Sequence, residues 1–192
     1  IKRFPEAIYF KTSRRMAVVS SLKNVTDIQK TFKRHRFFGT LNFLLKNRLG
    51  ILNINLGNEG NKLINTNENF DQLKRIIKKY KNLILKNSRR EERNYKIYLN
   101  KIFGNSKKNF AISDQGFFGS VQNSIEKILN LKIFGLYLAC AHQSKKKNFF
   151  KIGFYNYPKS YFKSLNHISE TFLTAPEGTY LYHNGKKFVK DK

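Results

Sequence analysis

The chain has 192 residues and sets 38 lysines and arginines against 12 aspartates and glutamates, a formal net charge of +26. That length suits one ordinary domain or two small ones. Charge of this size and sign points to a phosphate-rich partner whose binding releases counterions; an anionic membrane surface is the other physical fit. The single cysteine, Cys140, excludes an internal disulfide and a four-thiolate metal site.

The charge is distributed in blocks. Residues 1–36 carry a net +8, residues 37–69 only +1, residues 70–109 carry +10 and residues 110–192 carry +7. The near-neutral block reads as protein-facing, the others as facing RNA. Phe, Tyr, Met, Ile, Asn and Lys supply 96 residues, whereas Gly, Ala, Arg and Pro supply 30. The first set uses codons rich in A and T, so the gene is expected to be AT-rich, as organellar genomes often are; an AT-rich nuclear or bacterial genome is the alternative. No stretch reads as a signal peptide, and the longest apolar run, Ile128 to Ala141, is too short for a bilayer span and contains Lys132.

In chain order, residues 1–36 read as a basic, irregular arm. Arg14-Arg15 and Lys33-Arg34-His35-Arg36, the latter beside Phe32, are candidate contacts to RNA backbone and bases. Two strand-like runs follow, residues 37–45 and 49–56; in the second, Leu52, Ile54 and Leu56 alternate with Asn53 and Asn55. Gly57-Asn58-Glu59-Gly60-Asn61 predicts a turn, and its spacing before Lys62 does not make a phosphate-binding loop.

From Phe70 the apolar period changes to three and four, through Leu73, Ile76, Ile77, Tyr80 and Ile84. This predicts an amphipathic helix to about Lys86, with Asn69 as N-cap and Asp71 at the positive end of the dipole. A second helical piece is expected from Glu91 to Phe103, after a break at Ser88-Arg89-Arg90, and Gly104 to Asn109 ends it. Lys74, Lys78, Lys81, Arg89 and Arg90 mark this helical insertion, about 70–109, as RNA-facing; a basic face merely solvated is the bland account.

The remainder reads as a helix from Gly119 to Leu129, with Val121, Ile125 and Ile128 on one face, then a strand from Leu131 to Ala141. A tight basic connection with Lys145, Lys146 and Lys147 leads to a returning strand, Phe149 to Tyr155, containing Lys151. Gly153 inside that strand predicts a bulge or a close approach. Further strands are expected at 161–168 and 179–183, closed by Asn184-Gly185 with Lys186 and Lys187 beyond it. An antiparallel sheet with a helix on one face results.

Catalytic chemistry is not expected. The acids are scattered apart from Glu91-Glu92, and His35, His142, His167 and His183 are far apart. Cys140 and His142 share a strand face but lack the second ligand pair a metal needs. Ile152-Gly153 and Tyr155 lack the rest of an intron-type nuclease motif. The sequence thus gives no cofactor, metal or small-molecule substrate, and the protein is read as not an enzyme.

Residues 119–192 resemble the second domain of the universal large-subunit ribosomal protein L-six family, in its organellar form. Leu131-Lys132-Ile133-Phe134-Gly135-Leu136 is similar to the first half of that family's strand motif after its helix. Phe149-Phe150-Lys151-Ile152-Gly153-Phe154-Tyr155-Asn156 stands where the family has a second strand after a short turn, followed in order by Thr174-Ala175-Pro176 and Gly185-Lys186-Lys187. Phe38-Gly39-Thr40-Leu41 matches the first domain's turn only loosely. Tyr137 replaces a motif glycine, Tyr155-Asn156 replaces a Ser-His pair, the family's C-terminal RNA-contacting segment is missing, and residues 70–109 are foreign to it.

The resemblance implies an α+β fold of two tandem small domains, 37–118 and 119–192, after the basic arm 1–36, each an antiparallel sheet with a helix on one face. It implies a structural protein of the ribosome, with ribosomal RNA and neighbouring ribosomal proteins as partners and no membrane; together with the AT-rich residue usage, the expected setting is the mitochondrial matrix, with the gene organelle-encoded. A small-subunit ribosomal protein, an RNA-processing or splicing factor, and a respiratory-complex subunit set on cardiolipin are the alternatives.

Overall fold

The architecture is organised around one long helix, α4 (Phe70–Phe103), which the computed structural model shows as 34 continuous residues, about 50 Å at 1.5 Å per residue. The structure describes residues 8–34, 37–52, 54–104, 110–114, 118–140, 144–146, 149–156 and 180–190. Asn69 caps α4 as expected, its side-chain oxygen accepting from the Gln72 N–H at 2.8 Å. Gly104, at φ +59°, closes the other end. The expected break at Ser88-Arg89-Arg90 is absent: α4 runs straight through it, because Ser88 is buried on the inner face and bonded there.

The described part of the N-terminal region is not an irregular arm. Within residues 8–34 it forms α1 (Arg14–Ser20) and α2 (Val25–Arg34). Ser13 caps α1 by accepting from Met16 N–H. Met16, Ala17 and Val19 from α1, then Leu22, then Ile28 and Phe32 from α2 are all buried.

The next segment also departs from expectation. Strand β1 (Phe38–Thr40) is short, and the chain then coils through a helical turn α3 (Leu41–Phe43) and a π-helical turn, Leu44–Arg48, which bury Leu41, Leu44 and Leu45. The 49–56 run is not a strand; Ile51 is buried and Leu52 exposed. The expected turn is present as a 3-10 helix over Gly57–Asn61 and leads into β2 (Leu63–Asn65), antiparallel to β1.

The C-terminal region contains β3 (Ala111–Asp114), α5 (Ser120–Leu129), β4 (Phe134–Cys140), β5 (Ser144–Lys146) and β6 (Phe149–Asn156) in one sheet, ordered β3-β4-β6-β5. The helix is where the sequence puts it and buries Ile125 and Ile128. The sheet is mixed: β3 with β4 and β4 with β6 run parallel, and only β5 with β6 is antiparallel. The expected β4–β6 hairpin fails because β5 occupies the connection and takes the far edge of β6. Gly153 makes no bulge, since the β4–β6 register stays constant from Gly135↔Lys151 to Cys140↔Asn156. Strand β7 (Tyr180–His183) pairs with β8 (Phe188–Lys190) as a hairpin. The 161–168 strand expectation lies outside the described residues.

Two apolar clusters flank α4. One gathers Leu73, Ile76, Ile77 and Ile84 with Ile28, Phe32, Phe37, Leu45 and Ile64. The other gathers Tyr95, Leu99 and Phe103 with Met16, Ala17, Ile112, Ile125 and Ile133. Helix α4 therefore belongs to both cores, as their common spine, and residues 70–103 are not an appendage. The fold is α+β.

Candidate nucleic-acid interface

The inner and outer faces of α4 carry opposite chemistry. The inner face is apolar at both ends and polar in the middle, where Asn87, Ser88 and Glu91 are buried. Ser88 Oγ lies 2.7 Å from the carbonyls of both Val19 and Leu22, where the chain leaves α1; Val19 O also accepts from Leu22 N–H at 3.3 Å. Asn87 Nδ2 donates to Leu49 O at 3.0 Å and to Glu91 Oε1 at 3.1 Å. Arg15 of α1 reaches Glu91 Oε1 at 3.3 Å and also donates to Leu181 O of β7. These bonds fix the rotation of α4 about its axis, so its opposite side must face solvent. Burial raises the Glu91 carboxyl to about 7, against the pull of Arg15, Asn87 and Arg90.

The outer face follows from that rotation. Arg75, Lys78, Lys86, Arg89, Arg93 and Lys96 are exposed along it, spanning about 30 Å of helix. None has a carboxylate within ion-pair distance among the described residues. Asn82, Leu85, Lys86, Arg89, Glu92, Arg93 and Lys96 line a shallow furrow on this side. The single acid there, Glu92, is held by Lys23. Lys79 is diverted from the array by Glu59, 2.7 Å away.

The cations singled out from sequence divide into four groups. Arg14, Lys78, Lys81, Arg89, Lys186 and Lys187 are exposed. Lys33 and Lys74 flank the Phe70 ring at 5.6 and 5.7 Å, and Lys74 also pairs with Asp71 at 2.8 Å; Arg90 is exposed but donates to Asn87 Oδ1 at 2.6 Å. Arg15 and Lys151 point inward: Lys151 is 2% exposed, with Nζ 3.0 Å from Phe118 O and 3.3 Å from Gly119 O. As direct contacts to RNA these two are corrected. A side chain on Gly119, at φ +58°, would overlap Lys151 Nζ, so the glycine is needed for the lysine to fit. Arg36 and Lys147 lie outside the described residues, as do the side chains of Arg34, Lys145 and Lys146.

Sequence reasoning missed Arg75, Lys86, Arg93 and Lys96. The signal was present, since Lys78, Lys86, Arg89, Arg93 and Lys96 fall on one side once the helical phase set by Leu73, Ile77 and Ile84 is carried past Ser88. Among the described residues no three His, Cys, Asp or Glu side chains gather as metal ligands, and no helix is long and apolar enough to cross a membrane. The chain matches no protein-family model and no curated protein.

Proposed function

We propose that this protein is a structural RNA-binding component of an organellar ribosome, seated on ribosomal RNA of the large subunit among neighbouring ribosomal proteins, with no catalytic role. The observation that carries the RNA-binding reading is the row of exposed cations on the outer face of α4, without ion-pair partners among the described residues, in a chain of net charge +26. A cationic face whose one acid, Glu92, is already paired with Lys23, held by two cores, is disposed to neutralise phosphates. The organellar setting in the mitochondrial matrix rests on the AT-rich residue usage. The large-subunit setting, and the division into two tandem α+β units sharing α4, rest on the resemblance of residues 119–192. Against a close copy of that domain stands the parallel β4–β6 pair, because a short turn would join neighbouring strands into a hairpin.

Sucrose-gradient sedimentation of native organellar extract tests the assignment. Co-migration with the large subunit is expected, with release by high salt. Migration with the small subunit would move it to the other particle. Sedimentation as a free protein or with membranes would overturn the ribosomal assignment.

A further inference from the structure

We propose that the outer face of α4 binds the sugar–phosphate backbone of an RNA duplex, lying along its phosphates without reading bases; this rests on the RNA-binding reading and narrows it to one RNA form. Three observations converge on a duplex. The first is rigidity. Helix α4 is anchored to both cores, by Ile77 and Ile84 at one end and by Tyr95 and Leu99 at the other, so the cations between Arg75 and Lys96 hold a fixed line. A duplex keeps its phosphates in an equally fixed line over that span, whereas a single strand must be ordered to match it.

The second is side-chain type. Single strands are held largely by stacking bases on aromatic rings, and the aromatic rings of α4 are committed elsewhere. Tyr95 is buried and bonded to Thr12, Tyr98 packs against Phe188 with ring centroids 4.6 Å apart, and Tyr80 donates to Glu59. Phe70 lies against Lys33 and Lys74. The exposed residues are instead long cationic chains with Asn82 and Asn100 among them, chemistry suited to phosphates and to ribose hydroxyls displayed along a shallow groove.

The third is spacing. Lys86, Arg89, Arg93 and Lys96 follow at three and four residues, which places one cation per helical turn of about 5.4 Å on a single side. The shallow furrow runs along these same residues. Acids that would repel a backbone are absent from the line except Glu92, which Lys23 neutralises.

The test uses the full chain, a blunt 24-base-pair RNA duplex and one of its strands alone as probes, with affinities measured across a salt series. The duplex is expected to bind tighter than the strand by roughly tenfold or more. Replacing Lys86, Arg89, Arg93 and Lys96 together by Gln should erase that preference and flatten the log–log salt slope for duplex by about 3 to 4, at about 0.9 per lost phosphate contact. A matched variant with Gln at Lys30, Lys46, Arg48 and Lys62, none of them on α4, should keep the preference. Circular dichroism checks the fold, and the double variant R89Q/R93Q gives the same readout at half the effect should the quadruple one be destabilised. Equal or tighter binding of the single strand, or equal flattening by the matched variant, would overturn the duplex inference and leave RNA binding standing. Failure of the native chain to bind either RNA at about 0.15 M salt would instead remove the RNA-binding reading itself.

Discussion

Arg15 crosses from α1 to meet Glu91 of α4 at 3.3 Å, and the backbone that covers this pair is that of Gly50. A Cβ on Gly50 would overlap Arg15 Nη2 and Glu91 Oε1, in a backbone at φ +73° that side chains disfavour. Gly50→Ala is therefore expected to lower stability by about 2–4 kcal/mol, combining backbone strain with displacement of a buried charged pair. The urea midpoint measures it. A change under about 0.5 kcal/mol would mean that the three residues do not meet in solution.

The same carboxylate makes stability depend on pH. Burial lifts Glu91 from an ordinary value near 4.5 to about 7, so the folded protein holds a proton there that the unfolded chain has already lost. Between those values the unfolded state binds fewer protons, and stability falls as pH rises. Above about 7 the loss is complete. Glu91→Gln removes this contribution, so the variant should lose less stability than the native chain between pH 5 and pH 8, by on the order of 2 kcal/mol. Parallel stability–pH curves for the two proteins would show that Glu91 ionises normally.

Ser88 gives a sharper test of how α1 is attached to α4. Its hydroxyl lies 2.7 Å from the carbonyls of Val19 and Leu22. Ser88→Ala takes the side-chain hydroxyl away from both carbonyls in a buried place, leaving Val19 O its backbone partner only, and is expected to cost about 1–3 kcal/mol. Ser106, outside the described residues, is no control; Arg89→Ala next door on the exposed side is, and should stay within about 0.5 kcal/mol.

The legible parts of the fold were those that local pattern encodes. The Phe70, Leu73, Ile77, Ile84 stripe, the Asn69 cap and α5 follow from periodicity and capping chemistry alone. Ser88 reads as a break because a buried polar residue on the inner face looks, in sequence, like a surface residue; its partners Val19 and Leu22 are 69 and 66 residues away. The helices of the N-terminal region were hidden by charge, since Met16, Val19, Ile28 and Phe32 are embedded among the bases that read as an RNA arm. The apolar, aromatic-rich runs of β4 and β6 identify strands but carry no direction, so parallel pairing around β5 is invisible in the sequence. The outer-face cations were only partly found, because their alignment depends on α4 being one helix.

Arg89 and Lys151 were both read from sequence as RNA contacts, and the structure sends them to opposite fates. Arg89 is exposed in the α4 row, whereas Lys151 is 2% exposed, its Nζ facing the carbonyls of Phe118 and Gly119 where the chain enters α5. Replacing each by Ala should therefore give crossed results. Lys151→Ala removes a buried stem and the donors to those carbonyls, and should cost about 2–4 kcal/mol. The salt slope for RNA should stay unchanged, since a buried ammonium neutralises no phosphate. Arg89→Ala should leave stability within about 0.5 kcal/mol and shift the log–log slope by about 0.9 toward zero. Denaturant midpoints and salt-titrated RNA binding on both variants read the two axes separately. A slope change for Lys151→Ala with stability intact would place that lysine at the surface and overturn the packing of β6 against the start of α5.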